Sequence, residues 1–274
     1  MSTTEQKITA LHTATTTNPE YATITPLFIA LYEFVAGREG QTGISFVPSV
    51  SHNGAPLISP TDLSIERDTL IIFLMGIISV LEQQGSASDE ALDRIAQALS
   101  AGRLEPQPLL QAIMERSRGP LESVAIELDV PAALLEYLFE IPLKTALERF
   151  AAGCSAEDFA GWQGNLCPVC GARPAMAELS GAEGRRRLSC SACFHTWEFK
   201  RLCCPSCGCE DTEQLSYFTA GDGPVRVDTC RSCSRYIKTR DTRISGADIP
   251  LEVEDLLTIH LDLLAAREGF ERGK

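Results

Sequence analysis

The chain has 274 residues, of which 44% are hydrophobic, and a formal net charge of −13. The apolar content excludes a fully disordered chain, and the length is sufficient for a sizeable core divided between domains. The acidic balance argues against a broad surface for nucleic acid or an anionic membrane.

The N-terminal part, residues 1–160, is predicted to form an all-helical domain. Its apolar residues recur at helical spacing, and Thr, Pro and Gly stand at the expected starts and ends of several segments. Helices are expected over 25–37, 65–84, 86–102, 108–116, 121–128 and 130–153, with a break at Pro142 in the last segment. Residues 42–60 contain three prolines and show no periodicity, which predicts a loop.

The longest apolar run, residues 70–81, has 12 residues. A membrane-spanning helix needs about 20, so a buried helix is the better interpretation. The first residues also lack the basic start and the apolar stretch of a secretory signal. We therefore expect a cytoplasmic protein without membrane insertion, in which thiols stay reduced and clustered cysteines indicate metal or redox chemistry.

Ten of the eleven cysteines lie between residues 167 and 233, and eight of them form C-x2-C pairs. The four pairs are Cys167/Cys170, Cys190/Cys193, Cys204/Cys207 and Cys230/Cys233. Two C-x2-C turns on adjacent hairpins can bind one metal ion tetrahedrally, with metal–sulfur distances of about 2.3 Å. The first and third pairs share the frame C-P-x-C-G, and this repeat favours sequential pairing over the two other pairings. The sequence therefore predicts two tetrathiolate-bound metal ions, iron or zinc.

Two further cysteines of this region, Cys203 and Cys209, lie outside the Pro/Gly frame and are not expected to be ligands. Short segments between the pairs are punctuated by Gly and Pro, which predicts short strands. These strands and the cysteine pairs indicate two tandem rubredoxin-like or zinc-ribbon modules, at residues 161–200 and 201–245.

The tail, residues 246–274, is predicted to form an amphipathic helix that packs back on the body. Pro250 stands at its expected start and Gly269 at its expected end. The expected fold class is therefore α+β and multi-domain, with an all-helical N-terminal domain, two tandem metal modules and a C-terminal helix.

These residues resemble the formate dehydrogenase accessory protein family (FdhE-like) over about residues 160–272. Beyond the cysteine pairs, the resemblance rests on Trp197, Arg201, Tyr236, Lys238 and the closing helix that ends in Arg267-Glu268-Gly269. It implies a chaperone-like maturation factor in the cytoplasm that binds the catalytic subunit of formate dehydrogenase. It also implies that the protein is not an enzyme, has no catalytic residues and binds iron or zinc in its two modules.

Two other functions stay open at this point. A nucleic-acid-binding zinc ribbon would need a basic footprint, but residues 167–243 carry only twelve Lys and Arg against nine Asp and Glu. A rubredoxin-like electron carrier would use iron for one-electron chemistry, but such carriers are usually small and need no large helical domain.

Arginine and aromatic side chains on the predicted ribbon strands are expected to bind the client protein, because such side chains anchor many interfaces. The expected client-binding residues are Arg185, Arg186, Arg187, Trp197, Arg201, Arg226, Tyr236 and Lys238. The alternative is that Trp197 and the tyrosines cover the small core of each ribbon.

Overall fold

The computed structural model describes residues 3–48, 54–85, 89–244 and 249–273. These residues form two compact units, one with residues 3–48 and 58–153, the other with residues 54–57 and 154–273. The first is mainly helical, and the second contains a sheet and both sets of paired cysteines. The predicted α+β class is therefore confirmed. In the described residues, no helix is both long enough and apolar enough to cross a membrane.

The first unit consists of helices and one two-stranded antiparallel sheet. Its helices are α1 (Thr4–Thr17), α2 (Thr25–Val35), α3 (Arg67–Gln83), α4 (Asp89–Ser100), α5 (Pro106–Glu115), α6 (Gly119–Leu128) and α7 (Ala132–Ala152). The sheet consists of β1 (Ile44–Phe46) and β2 (Leu63–Ile65), so the segment predicted as a loop contains a strand. Residues 49–53 of that segment lie outside the described residues.

Helix α1 was not expected from the sequence, because its apolar pattern is weak. It starts at a capping box in which the Thr3 side chain accepts the Gln6 N–H and the Gln6 side chain accepts the Thr3 N–H. Only Lys7 and Leu11 on it are buried. The Lys7 ammonium lies 2.6 Å from a carboxylate oxygen of Glu148, so an ion pair holds this helix to α7.

The break expected at Pro142 is absent, because α7 runs through that residue. A proline inside a helix costs about 3 kcal/mol. Burial on both sides offsets this cost, since each large apolar side chain removed from water contributes roughly 1.5–3 kcal/mol. The buried residues of α7 are Leu135, Leu138, Phe139, Pro142, Leu143, Thr145, Ala146, Leu147 and Ala151.

The second unit contains one seven-stranded sheet. Its strands are β3 (Pro174–Ser180), β4 (Arg185–Cys190), β5 (Thr196–Glu198), β6 (Leu215–Thr219), β7 (Val225–Cys230), β8 (Arg235–Asp241) and β9 (Glu271–Arg272). The order is β5-β4-β3-β8-β7-β6, and β9 pairs with β8. We call residues 167–198 the first ribbon and residues 204–241 the second ribbon.

Strands β3 and β8 join the two ribbons, because they pair in parallel from Met176 opposite Lys238 to Leu179 opposite Asp241. The ribbons are therefore parts of one continuous sheet. The division into separate modules at residues 161–200 and 201–245 stays a prediction.

The C-terminal helix is present as two consecutive helices, α8 (Leu251–Leu257) and α9 (Ile259–Arg267). They meet at Thr258, whose hydroxyl donates to the Glu254 carbonyl at 2.6 Å. Helix α9 buries Leu261 and Ala265 in a small core. That core also contains side chains of β3, β7 and β8, so α9 covers one face of the sheet. His260 is exposed and does not belong to this core.

Candidate metal centres

The first cluster consists of Cys167, Cys170, Cys190 and Cys193, whose Sγ atoms all lie within 4.8 Å of one another. The Sγ atoms of Cys167 and Cys193 are 3.5 Å apart, and so are those of Cys170 and Cys190. All four are free thiols. Cys170 is partly exposed, and the other three are buried.

The second cluster consists of Cys204, Cys207, Cys230 and Cys233, again within 4.8 Å. The Sγ atoms of Cys204 and Cys233 are 3.7 Å apart, and those of Cys207 and Cys230 are 3.8 Å apart. These residues are also free thiols, and Cys207 is exposed.

Both clusters have the size that a tetrahedral metal ion requires. Four sulfurs at about 2.3 Å from a central ion are separated by about 3.8 Å along the edges of the tetrahedron. The shortest sulfur–sulfur distances, 3.5–3.8 Å, match this value. Each cluster can therefore bind one metal ion, and a four-sulfur set suits zinc and iron alike.

Each C-x2-C pair lies in a tight turn, which we call a knuckle. The leading knuckle is the first one of a ribbon in chain order, and it has the same backbone hydrogen bonds in both ribbons. In the first, the Gly171 N–H donates to the Cys167 carbonyl at 2.9 Å, and the Cys167 N–H donates to the Ala172 carbonyl at 2.8 Å. In the second, Gly208 and Cys204 make the equivalent bonds at 2.8 Å. The glycine has a positive φ in both, +69° and +75°. The C-P-x-C-G frame therefore produces this turn, because only Gly adopts that φ without strain.

The closing knuckles use other residues at the same place. Phe194 follows Cys193 with φ 56°, and Ser234 follows Cys233 with φ 54°. All four knuckles thus turn through a left-handed residue directly after the second cysteine. In the closing pairs the turn costs conformational free energy, which the surrounding strands β4, β5, β7 and β8 offset.

Backbone N–H groups point at sulfur in both ribbons. The N–H groups of Ala192 and Cys193 lie 3.3 and 3.4 Å from Sγ of Cys190, and that of Ser206 lies 3.4 Å from Sγ of Cys204. Such donors stabilise thiolate charge and are common around tetrathiolate metal sites.

One thiol in each cluster is ready to ionise. Burial disfavours the Cys190 thiolate, yet hydrogen bonds from the Cys167 and Cys170 thiols hold the pKa of Cys190 well below its usual range. Desolvation likewise opposes ionisation of Cys207, but the Cys209 backbone N–H and neighbouring thiols lower its pKa. Burial raises the pKa of Cys167 and Cys193 in the first cluster and of Cys230 and Cys233 in the second, so metal binding would release protons from these thiols.

The remaining candidates are outside both clusters. Cys203 is buried, its thiol faces the Cys204 carbonyl at 3.8 Å, and burial raises its pKa. The carbonyl of Cys209 accepts the Cys204 N–H, so this residue shapes the knuckle through its backbone. His195 packs edge-to-face on Phe159 with ring centroids 4.7 Å apart, and burial lowers its pKa. That Cys203 and Cys209 are not ligands stays a prediction.

The part of the chain that contains the second cluster is also the part that matches a known family model. Residues 203–274 match the family model described as "FdhE, C-terminal domain". The chain is 32% identical over 165 residues to a protein FdhE homolog of Aquifex aeolicus (strain VF5), covering 59% of this chain and 58% of that protein. It is 27% identical over 203 residues to a homolog of Rhizobium meliloti (strain 1021), covering 69% of this chain and 62% of the relative. The chain is therefore similar to FdhE proteins over part of its length, and the family match lies in residues 203–274.

The chain thus spans 58% and 62% of the length of these two FdhE relatives. The crystal structure of the FdhE protein from Pseudomonas aeruginosa superimposes with a TM-score of 0.66 and 20% identity. That alignment covers 97% of this chain and 92% of the other, so the two chains share a fold.

The residues expected to contact a client divide into two groups. Arg185, Arg187 and Arg201 are exposed, and Arg226 is partly exposed, so these four can reach a partner. The other four are buried: Arg186, Trp197, Tyr236 and Lys238. That any of the eight residues binds a client stays a prediction. Trp197 covers the first ribbon, as the alternative interpretation held, and its indole N–H donates to the Gly164 carbonyl at 3.1 Å.

Arg186 is buried because it links the two ribbons. From β4 it donates to the Cys203 carbonyl at 2.9 Å, and it lies 3.3 Å from a carboxylate oxygen of Asp228 on β7. Desolvation lowers the pKa of this guanidinium, and the Asp228 carboxylate opposes that shift. The side chain is therefore a structural connection rather than a surface contact.

Tyr236 and Lys238 are buried because they bind the C-terminal helices. The Lys238 ammonium lies 2.7 Å from an Asp262 carboxylate oxygen and 2.8 Å from one of Asp255. The Tyr236 hydroxyl donates to Asp262 at 2.6 Å, and Arg272 pairs with both aspartates. Hydrogen bonds and ion pairs thus join Tyr236 and Lys238 to the acidic closing helices in one buried network.

The sequence reasoning missed the aspartates that hold these buried cations. A signal was present: in "RYIKTRD" the alternate positions Tyr236, Lys238 and Arg240 share one face of a strand, and "LEVEDLLTIHLD" supplies carboxylates at helical spacing. Arg240 indeed pairs with Glu254 at 3.0 Å and with Glu178 at 2.6 Å.

Proposed function

We propose that this protein is an accessory factor for the maturation of formate dehydrogenase and that it binds the catalytic subunit in the cytoplasm. The FdhE-type C-terminal domain supports this proposal, because it includes the whole second cluster together with α8 and α9. In this proposal the protein acts by binding its client, and it catalyses no reaction of its own.

We further propose that Cys167, Cys170, Cys190 and Cys193 bind one metal ion and Cys204, Cys207, Cys230 and Cys233 a second, iron or zinc. A bound ion would cross-link the two knuckles of its ribbon and supply folding free energy. The N–H groups of Ala192, Cys193 and Ser206 would then stabilise the thiolate charge.

The client contacts are proposed on the ribbon side chains that reach the surface. Arg185 and Arg187 project from β4 with exposed guanidinium groups, and Arg201 is exposed just before the second cluster. Arginine forms bidentate hydrogen bonds with carboxylates, which suits an acidic partner surface.

The proposal is tested by complementation of a strain that lacks this protein, with formate oxidation as the readout. Wild-type protein should restore the activity, and the catalytic subunit of formate dehydrogenase should copurify with it. Formate oxidation that is unaffected by deletion, together with no copurification, would refute the proposal. Salt-dependent binding to DNA or RNA would instead support the nucleic-acid alternative.

A further inference from the structure

The second ribbon has an open cleft beside the second cluster, with a volume of about 110 Å³. One wall is the turn at 201–206, and the floor is formed by β6, β7 and β8. Tyr217, Asp228 and Ile237 are directly opposite one another in these strands and therefore share a face of the sheet. Helix α9 packs on the other face, and the described residues that line the cleft include none from a helix.

Large apolar side chains at the cleft are left in solvent. Leu202 is 61% exposed and Tyr217 is 62% exposed, while Leu215 and Ile237 line the floor. Exposed apolar groups gathered around a concave site are typical of binding sites.

The charged groups of the cleft favour an anionic partner. Four arginines and one aspartate line it: Arg186, Arg201, Arg226, Arg235 and Asp228. Cys204 and Cys230 of the second cluster also line the cleft and would add negative charge as metal-bound thiolates, so individual guanidinium groups rather than net charge determine what binds.

Arg226 is the guanidinium best placed for a ligand. Its Cζ atom lies 4.3 Å from the ring centroid of Tyr217, and its Nε donates to Asp228 at 2.8 Å. The stacking and the ion pair fix the plane of the group, and no hydrogen bond within the described residues uses its two terminal nitrogens. In addition, Nε of the buried Arg186 has no hydrogen-bond partner within the described residues. The terminal nitrogens of Arg226 are donors that a carboxylate in the cleft could satisfy, whereas Nε of Arg186 is shielded from solvent.

Strand β6 adds a backbone edge to the site. It is the terminal strand of the sheet and pairs only with β7 among the described strands. Ser216, Tyr217 and Thr219 on it are exposed. An extended peptide can pair with such an edge through main-chain hydrogen bonds while its side chains enter adjacent pockets.

We propose that this cleft binds an extended segment of a partner protein that carries an acidic side chain next to apolar ones. The acidic group pairs with Arg226, the apolar groups pack on Leu202 and Tyr217, and the backbone pairs with β6. The identity of the partner rests on the proposed function, in which it is the catalytic subunit of formate dehydrogenase. The apolar floor and the free strand edge favour a polypeptide over single-stranded nucleic acid, for which Tyr217 alone would offer a stacking surface.

The first experiment measures binding of the full-length, metal-loaded protein to immobilised catalytic subunit of formate dehydrogenase. Tyr217→Ala and Arg226→Gln should each weaken binding about tenfold or more. Tyr217 is exposed, and Asp228 keeps Arg186 and Thr239 as partners when Arg226 is replaced, so both variants should fold. The matched control is Arg103→Gln, an exposed arginine of the helical unit, which should bind as wild type does. Metal content and melting temperature are measured for every variant.

The second experiment identifies the bound segment with a photo-crosslinking amino acid at position 202. A synthetic peptide of the crosslinked segment is compared with a version in which Asp and Glu are replaced by Asn and Gln. The neutral peptide should bind wild-type protein about tenfold more weakly, but it should bind Arg226→Gln no more weakly than the acidic peptide does.

Three results would be negative, and they differ in meaning. Wild-type binding to the subunit that persists unchanged in both cleft variants overturns the cleft and leaves the proposed function intact. No binding of the subunit to wild-type protein overturns the proposed function and with it the partner assigned to the cleft. Crosslinking to a segment without acidic residues, or tighter binding of an oligonucleotide that Tyr217→Ala abolishes, overturns the assigned occupant.

Discussion

The two ribbons share their knuckle backbone and differ in what surrounds it. Three cysteines of the first cluster are buried and the fourth is partly exposed. In the second cluster, by contrast, the candidate ligand Cys207 is exposed. The first cluster is the closed site and the second is the open one. Closed tetrahedral sites are typical of structural metals, and exposed ligands allow exchange and reaction.

The difference comes from the segments that cover each ribbon. At the first, the Leu57 N–H donates to the Pro168 carbonyl at 2.8 Å, and Trp197 and the Phe159–His195 pair pack nearby. At the second, α9 covers one face of the strands, while the knuckle with Cys204 borders the open cleft. The local sequence thus gives the knuckles of both ribbons the same backbone. The segments packed over each cluster determine how accessible its cysteines are.

The ribbons should differ most in how much metal and stability they lose when one cysteine is replaced. Cys167→Ser removes a buried sulfur and should cost one of two metal ions and more than about 4 kcal/mol of unfolding free energy. Cys207→Ser removes an exposed sulfur whose place water can take, so it should weaken metal binding with a smaller loss of stability. Elemental analysis and chemical denaturation measure both effects.

The same variants test the pairing of the knuckles. Cys190→Ser should match Cys167→Ser, because both sulfurs belong to the first cluster. If loss of Cys190 instead removed the metal ion that depends on Cys204, sequential pairing would be wrong.

The second ribbon depends on a buried ion network in which Lys238 pairs with Asp255 and Asp262. Lys238→Met should cost about 3 kcal/mol of unfolding free energy, because it leaves Asp255 and Asp262 short of a buried partner. The control Lys200→Met removes an exposed pair with Glu210 and should leave stability essentially unchanged. Equal melting temperatures for the two variants would contradict this role of Lys238.

Metal exchange should separate the open site from the closed one. With a chelator in excess, we expect the second cluster to lose its ion about tenfold faster than the first, because Cys207 is exposed. The two phases are assigned with Cys167→Ser and Cys207→Ser, which each remove or weaken one site. A single phase for the wild-type protein would show that burial does not distinguish the sites.

The smallest expected difference concerns the two leading glycines. Gly208→Ala should cost about 1 kcal/mol, since Ala must adopt a left-handed φ and its methyl group would meet no described atom within 4 Å. Gly171→Ala should cost more, because its methyl group would lie 3.2 Å from Cγ of Pro56. Thermal denaturation of the two variants ranks these losses of stability. A larger loss for Gly208→Ala would show that the contact with Pro56 does not confine the first knuckle.

The elements that sequence predicted well depend on neighbouring residues. The Pro and Gly of each leading knuckle, the C-x2-C spacing and the repeat of the frame fix turn geometry within a few residues, so both four-cysteine clusters could be inferred. Helices α3 and α4 were likewise predicted, because their buried residues recur at helical spacing. Helix α1 escaped prediction because an ion pair to Glu148, distant in the chain, contributes to its packing.

Only the tertiary structure decided which polar side chains are buried and how the ribbons combine. Arg186 and Lys238 are charged residues of the kind that usually lies at the surface. Both are buried, and carboxylates from β7, α8 and α9 compensate the cost of their desolvation. The parallel pairing of β3 with β8 joins residues about 60 positions apart, and no short-range pattern encodes it. The sequence by itself therefore determined the cysteine knuckles, because each one depends on residues that are neighbours in the chain. The exposure of the clusters and the open cleft follow instead from contacts between distant segments.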